Sequence, residues 1–381
     1  MYYITFKQSP MYRQMTLEEL LSNDAPVTSL INDNTSNTKT YEVEHINPKF
    51  LHSISVGELI KTLINFNHRY DYLRKTPRKD LYYTFYIPKH SGGLRRIDAP
   101  QDELMEALRE LKKILEDDFG ALYHTSAFAY VKGRCTIDAV KRHQQNKSRW
   151  FGKFDLSNFF GSVTLPYTLK MLSMIFPFSE VMKDNRGREE LSKALELGFL
   201  NGALPQGTPL SPTLTNIIMI PIDFKLSKAL RDFNKQKYIY TRYADDFIIS
   251  SQYTFKFKDI EWLIINTLRE FEAPLYLNRE KTRYGSSAGR NWNLGLMLTK
   301  DGEITVGYKA KRRFQAMISS YVLDRLKGTR WDKHDVMIMD GYRNYYSSVE
   351  GADKINSIIN HIGDKYKVNI IQMIKNDLRA V

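Results

Sequence analysis

The sequence predicts an α+β chain, and three observations carry that reading. Strand-like and helix-like segments alternate along the 381 residues without the regular rhythm of a parallel βαβ sheet. Residues 82–97 read as a β-hairpin, and a helix of clear amphipathic spacing follows at once. No repeat of solenoid period runs through the chain.

The elements follow in order. The first fifty residues are weakly patterned, with a short helix over Leu17–Leu21 and a polar loop over Asn32–Thr40. From Val56 to Phe66 the apolar spacing is helical, and Arg69, Arg74, Lys75, Arg78 and Lys79 follow as a basic run. Such a run is either a solvated face or a nucleic-acid contact, and the second is expected here. Tyr82–Ile87 alternates and is rich in aromatic and β-branched residues, Ser91-Gly92-Gly93 is turn chemistry, and Leu94–Ile97 resumes the strand. Lys89, Arg95 and Arg96 surround the tip. Pro100 is expected to open the helix that places Leu104, Leu108, Leu111 and Leu115 on one face and ends at Gly120.

Charge narrows the class of partner. The formal net charge is +13 and the pI is near 9.4, on a chain with an ordinary 42% of hydrophobic residues. That composition excludes wholesale disorder and points to a polyanion, nucleic acid ahead of a membrane surface. The 24 tyrosines fit, because a phenol can stack on bases as well as line a core. Cys135 is the single cysteine, so no internal disulfide forms, and it is expected to be buried or half-buried. The eight histidines form no zinc pattern. No signal-peptide layout and no apolar run of ~20 residues is present, so a cytoplasmic protein without a membrane span is expected.

The chemistry concentrates on carboxylates. Lys153–Phe160 reads as a strand ending at Asp155 and turning into a helix. Tyr238–Ser250 reads as two apolar strands meeting at Ala244-Asp245-Asp246, a tight hairpin with two carboxylates at its tip. Side chains alternate along strands, so adjacent aspartates share a face only where the chain turns. With Asp155 on a neighbouring strand, the three would form an all-oxygen site of the hard-ligand kind that suits Mg²⁺. Two such ions ~4 Å apart can activate an attacking hydroxyl and stabilise a leaving pyrophosphate. Taken alone, Asp-Asp is equally a solvated turn.

Leu204-Pro205-Gln206-Gly207-Thr208-Pro209-Leu210-Ser211-Pro212-Thr213-Leu214-Thr215-Asn216 tips the balance. Ser211 suits a helix N-cap and Pro212 the first helical position, and Gln206-Gly207 just before them would face a substrate. At this point the chain resembles a reverse transcriptase of the bacterial, non-retroviral type, close to the retron and group II intron enzymes. Ile87-Pro88-Lys89 with Gly92-Gly93, Arg95 and Ile97 is similar to the first fingers motif, and Ala127-Phe128 to Gly133-Arg134 to the second. Lys153–Phe160, Leu204–Asn216 and Tyr243–Asp246 match the three palm motifs in order. Leu277–Thr282 and Asn293-Leu294-Gly295-Leu296, the primer-grip hairpin, follow them.

The resemblance implies a right-hand polymerase fold of fingers, palm and thumb, with an antiparallel palm sheet and a helical thumb. It divides the chain into an N-terminal extension at 1–75, fingers at 76–145, palm at 146–300 and a helical thumb region at 301–381. It implies that Asp155 and Asp245 ligate two Mg²⁺ ions and that Asp246 completes the carboxylate set. Lys89 and Arg95 would hold the incoming triphosphate, with Arg96 the lesser candidate. Gln206 and Gly207 would contact the nucleotide and template, and Lys281 would protonate the leaving pyrophosphate. Phe160, five residues after Asp155, resembles the steric gate that excludes a 2′-hydroxyl, with Phe159 as its core-facing neighbour. Tyr308-Lys309-Ala310-Lys311-Arg312-Arg313-Phe314 would open the thumb and track the template–primer backbone.

Subfamily patterns refine this. Gln206 sets the chain apart from diversity-generating enzymes. Retron enzymes show Asn-Ala-x-x-His and Val-Thr-Gly where this chain has Asp138-Ala139-Val140-Lys141-Arg142-His143 and Leu294-Gly295-Leu296. The resemblance therefore leans to stand-alone, defence-associated or unknown-group enzymes. It implies dNTP substrates, an RNA template in the form of a dedicated noncoding RNA, and a DNA product. A second defence protein or another copy of the chain stays open as a partner. A retron-type or intron-derived enzyme, or a template-independent or RNA-synthesising polymerase on the same palm, remains the alternative.

Overall fold

The computed structural model describes residues 3–4, 15–16, 55–89, 92–116, 123–287, 295–299 and 301–379. The expected helix at Leu17–Leu21, the loop at Asn32–Thr40, Ser91, the helix end at Gly120 and Asn293-Leu294 lie outside them.

The described chain mixes helices and antiparallel pairs, as the α+β reading expects. A two-residue antiparallel pair joins β1 (Tyr3–Ile4) to β2 (Met15–Thr16). Helix α1 (Val56–Arg69) starts where Ser55 accepts a hydrogen bond from the Glu58 N–H. A short helix α2 (Asp71–Lys75) and a 3₁₀ turn follow. The predicted hairpin is present as β3 (Tyr82–Pro88) and β4 (Leu94–Pro100), in register from Tyr82 opposite Pro100 to Pro88 opposite Leu94. Helix α3 (Asp102–Glu116) buries Leu104, Leu108, Leu111 and Leu115 completely.

Pro100 does not open that helix. It ends β4, and α3 begins at Asp102, whose carboxylate and that of Glu103 suit the positive end of a helix. Lacking an N–H, proline fits the end of a strand as well as the first turn of a helix. Cys135 is exposed rather than buried, because it stands at the N-cap of α4 (Thr136–Gln145), its N–H donating to Asp138 Oδ2 at 2.9 Å.

A four-stranded sheet has the order β6-β7-β5-β8, with β5 at Trp150–Asp155, β6 at Ile239–Tyr243, β7 at Asp246–Ser251 and β8 at Arg283–Ser286. After β5 come α5 (Phe159–Ser162), α6 (Leu165–Leu172), α7 (Phe178–Val181) and α8 (Asn185–Glu196). Helix α9 (Leu210–Asp232) precedes β6, and α10 (Phe257–Glu270) follows β7. Fifteen of the 23 residues of α9 are buried, so it is apolar on nearly every side and acts as a core helix rather than a surface one. It starts at Leu210, one residue ahead of the predicted cap. Thr208 does the capping instead, its Oγ1 accepting from the Ser211 N–H while the Ser211 hydroxyl donates to the Pro205 carbonyl at 2.8 Å.

The chain divides into two compact units, with β5, β7 and β8 cut by the division. The first comprises 1–134, 153–249 and 256–283. Within it α9 packs on α3, α6 and α10, and α1 packs on α8. The basic run serves this packing. The Arg74 guanidinium donates to the Asn67 side chain and to the Lys193 carbonyl, Arg78 donates to the Glu196 carbonyl, and Arg69 pairs with Glu110 at 2.8 Å.

The second unit comprises 135–152, 250–255 and 284–381. Strands β9 (Met297–Leu298) and β10 (Ile304–Thr305) form an antiparallel pair, followed by α11 (Tyr308–Leu326), α12 (Lys333–Glu350), α13 (Ala352–Tyr366) and α14 (Ile370–Arg379). Glu350 fastens the end of α12 to the β10 segment, accepting from Thr305 Oγ1, the Val306 N–H and Lys311 Nζ. Asp377 holds α14 to α11 through the Tyr321 hydroxyl and Arg325. No helix among the described residues is long and apolar enough to cross a membrane.

Candidate active site

The site forms in the first unit where β5 ends beside the turn between β6 and β7. Only Ala244 and Asp245 connect those strands, which makes a two-residue hairpin and forces them antiparallel. Ala244 takes φ 54°, a left-handed conformation that a tight turn demands and that costs an L-residue energy. The turn is held from below: buried Arg242 donates Nη1 to the Ala244 carbonyl at 3.3 Å and to Asn216 Oδ1 at 3.1 Å. Arg242 is also gripped by Asp223 of α9, at 2.9 Å through Nε and 2.8 Å through Nη2, and the Tyr240 hydroxyl donates to the same carboxylate. Such a pair survives burial because the two charges are matched and further hydrogen bonds satisfy them.

Backbone hydrogen bonds then draw the predicted residues together. The Leu156 N–H donates to the Asp245 carbonyl at 3.0 Å, and the Asn278 N–H donates to the Asp155 carbonyl at 2.7 Å. Asp155 thus lies between the hairpin tip and the segment that ends in Lys281. Asn278 shapes that segment, its Oδ1 accepting from the Glu280 N–H and its carbonyl from Thr282 Oγ1. Lys281 Nζ reaches Asp155 at 3.1 and 3.3 Å.

Lys153, two residues before Asp155 on β5, binds Asp246 Oδ2 at 2.6 Å. Three carboxylates and two lysines therefore share the end of the sheet. Burial first, and then the charge of Asp246, push the Asp245 carboxyl up to about 6; Asp155 adds to the rise and Lys281 opposes it. Asp246 is likewise raised by burial, against the pull of Lys153.

These residues fit a divalent cation by their chemistry. All the donors are hard oxygens, and Asp246 Oδ1 is buried with no hydrogen-bond partner among the described residues. The cage is not preassembled, since among the described residues no three acidic, histidine or cysteine side chains already converge on one point. Asp155 and Asp246 are instead each engaged by a lysine. Lys281 is 59% exposed and Lys153 24%, so Lys281 is the more open of the two.

The other predicted residues lie outside this cluster. Gly207 adopts φ 119°, and a Cβ there would come within 2.7 Å of Ile97 Cγ2 and 3.0 Å of the Asp98 carbonyl, so glycine alone lets the loop meet β4. The Gln206 carbonyl accepts from the Asp98 N–H at 2.8 Å, which fastens that contact. Strand alternation puts Arg95 on the Ile97 face, towards Gly207, whereas Arg96 is on the opposite face and bound to Asp98 at 2.9 Å. Lys89 is exposed near the hairpin tip, its N–H donating to the Gly93 carbonyl, and it touches none of the carboxylates. Phe159 is 3% exposed while Phe160 is half-buried, which separates the core-facing ring from the more open one.

Sequence reasoning missed Lys153 as the partner of Asp246, and the Asp223–Arg242–Asn216 support. Lys153 could have been found, since i and i+2 on a strand share a face and Asp155 was already singled out. The support could not, because its partners are 7 to 26 residues apart and join only when α9 packs beside the sheet.

A family model described as reverse transcriptase (RNA-dependent DNA polymerase) matches residues 87–311. The retron Ec83 reverse transcriptase of Escherichia coli is 27% identical over 318 residues, covering 80% of this chain and 93% of the relative. The retron Ec73 reverse transcriptase of the same species is 26% identical over 272 residues, covering 69% and 82%. Departures from two retron motifs therefore do not prevent alignment with retron enzymes over most of the chain. Among solved structures, apo telomerase from Candida tropicalis aligns at 13% identity over 77% of this chain and 67% of that one, with a TM-score of 0.44.

Proposed function

The chain belongs to the reverse transcriptase family, an RNA-directed DNA polymerase of the right-hand fold, and from that premise we propose how its residues divide the work. Asp155, Asp245 and Asp246 are the carboxylates that hold two Mg²⁺ ions. The observation that carries this is the pair of backbone hydrogen bonds, Leu156 to Asp245 and Asn278 to Asp155, that brings two separate motifs to one end of the sheet. Bound there, the two ions supply activation of a primer 3′-hydroxyl and stabilisation of the departing pyrophosphate.

The protein's own groups do the rest. Arg95 offers a two-pronged donor to the triphosphate, and Lys89 a point charge beside it. Gly207 lets the backbone approach the nucleotide closely, with Gln206 against base and template. Lys281 leaves Asp155 when the site fills, and its ammonium can then donate a proton to the pyrophosphate oxygen. Phe160 closes the space a 2′-hydroxyl would occupy. Residues 76–145 act as fingers, 146–300 as palm and 301–381 as thumb, with 1–75 as an extension.

The template is a dedicated noncoding RNA and the setting is defence against phage, as the leaning towards stand-alone enzymes suggests. A retron-type role is the second reading, favoured by the coverage of the retron relatives. Sequencing the nucleic acid that copurifies from the native host separates the alternatives: one RNA with a complementary DNA product supports a dedicated template, whereas heterogeneous RNA removes it. For the metal assignment, Asp245→Asn should abolish Mg²⁺-dependent dNTP incorporation and leave RNA binding in place. Retained synthesis refutes it.

A further inference from the structure

Tyr130 is an exposed aromatic ring that the fold carries towards the β6–β7 turn by a built route. The segment before it runs parallel to β6: the Arg242 N–H donates to the Ser126 carbonyl, the Phe128 N–H donates to the Arg242 carbonyl at 2.9 Å, and Ala127 lies opposite Arg242. Beyond this bridge both chains turn, one at Ala129-Tyr130 and the other at Ala244-Asp245, and the charge of Asp245 reaches the Tyr130 phenol. The path is fixed on the other side as well. Asn216 Nδ2 donates to the Ala129 carbonyl at 2.7 Å, while its Oδ1 accepts from Arg242. One buried amide therefore holds both the Tyr130 segment and the Asp245 turn.

Despite this fastening, Tyr130 is 51% exposed and takes φ 58°. A bulky non-glycine residue kept in the left-handed region, half open to solvent, is the kind of strain that a functional position retains. Burial and then the negative charge of Asp245 push its hydroxyl up, and the Arg95 guanidinium draws it back, so the phenol feels both charges.

The geometry points to Tyr130 as a substrate-binding residue whose hydroxyl donates a hydrogen bond to the triphosphate of the incoming deoxynucleotide, between Arg95 and the Asp245 turn. This rests on the reading that Asp245 and Arg95 flank the triphosphate. A phosphate chain lying there brings acceptor oxygens to a donor that the backbone has already aimed, and Asn216 acts as the positioning residue that keeps it aimed.

Tyr130→Phe tests the role, because it keeps the ring and the fold and removes only the donor. Losing one hydrogen bond to a charged group should raise the dNTP KM about tenfold or more, with kcat much less changed. The inhibition constant of inorganic pyrophosphate should rise in parallel, and affinity for the primer–template should not move. A wild-type dNTP KM in Tyr130→Phe overturns the proposal, and so does a raised KM with unchanged pyrophosphate inhibition. Asp245→Asn, assayed alongside, separates the two layers: if it still polymerises, the reading of the site fails, and if it is inactive while Tyr130→Phe is normal, only the role of Tyr130 fails.

Discussion

Phe159 and Phe160 are adjacent rings at the start of α5, centroids 5.6 Å apart, whose unequal burial gives their loss different expected consequences. Phe159 is sealed in the core, so its loss would read as instability; Phe160 is half open, so its loss should read as selectivity. Phe160→Ala is expected to narrow the preference for dNTP over rNTP by about 10- to 200-fold, the range that one steric contact supplies. Competition between dGTP and GTP on an RNA template measures it, and unchanged sugar preference removes the gate role. His143 makes the corresponding case for stability. It is fully buried, its Nδ1 faces Ser250 Oγ at 2.6 Å, and burial pushes the imidazole down to about 3. The unfolded chain takes up this proton near pH 6.5 while the folded chain refuses it, so stability is complete above that value and falls as the medium acidifies towards 3. Between pH 7.5 and pH 5 this group alone should cost about 2 kcal/mol of unfolding free energy. Urea titrations at both pH values, with His143→Gln for comparison, check it: the variant should lose that part of the pH dependence, and an equal slope in both proteins refutes the assignment.

Helix α9 and strand β6 are joined by a charge pair with no exposure to speak of, Asp223 at 0% and Arg242 at 1%. Removing one partner leaves the other charged and dry, so Asp223→Asn should cost about 3–5 kcal/mol, and replacing both residues by apolar ones should cost less than the two single changes added together. Denaturant midpoints of the two singles and the double give the coupling, and an additive result shows that the pair is not the joint between these elements. The same elements show where sequence reading stops. Helix α3 was legible because four leucines at helical spacing can face only one way, and all four are buried. The Ala-Asp-Asp hairpin was legible because apolar strands flank a charged tip. The start of α9 was misplaced by two residues, Pro212 for Leu210, because Thr208 competed with Ser211 for the cap, and local sequence offered both. Asp223 was invisible within an apolar helix, since a buried carboxylate reveals itself only through a partner on another element. Lys153 was half legible: its face followed from β5, its partner Asp246 did not.

At the scale of the whole molecule, the +13 charge is a statement about nucleic acid rather than about the fold. Much of the basic run after α1 is consumed internally, Arg69 by Glu110 and Arg74 and Arg78 by backbone carbonyls, so formal charge overstates the number of groups free to meet phosphate. Lys309 and Arg313, exposed at the start of α11, are the cations expected to meet it, since Lys89 and Arg95 are proposed for the triphosphate. If about five phosphates are neutralised on single-stranded RNA, log affinity should fall with log salt at a slope near −3.5, close to a hundredfold between 50 and 200 mM. Arg313→Gln should then weaken binding across unrelated RNA sequences alike and make the slope shallower by about 0.7. Arg69→Gln should leave the slope where it was, because its charge is already spent on Glu110. Fluorescence anisotropy across a salt series reads all three proteins. Equal slopes for wild type and Arg313→Gln would show that the start of α11 does not meet the phosphate backbone, and a shallower slope for Arg69→Gln would show that the ion pair with Glu110 opens when RNA binds.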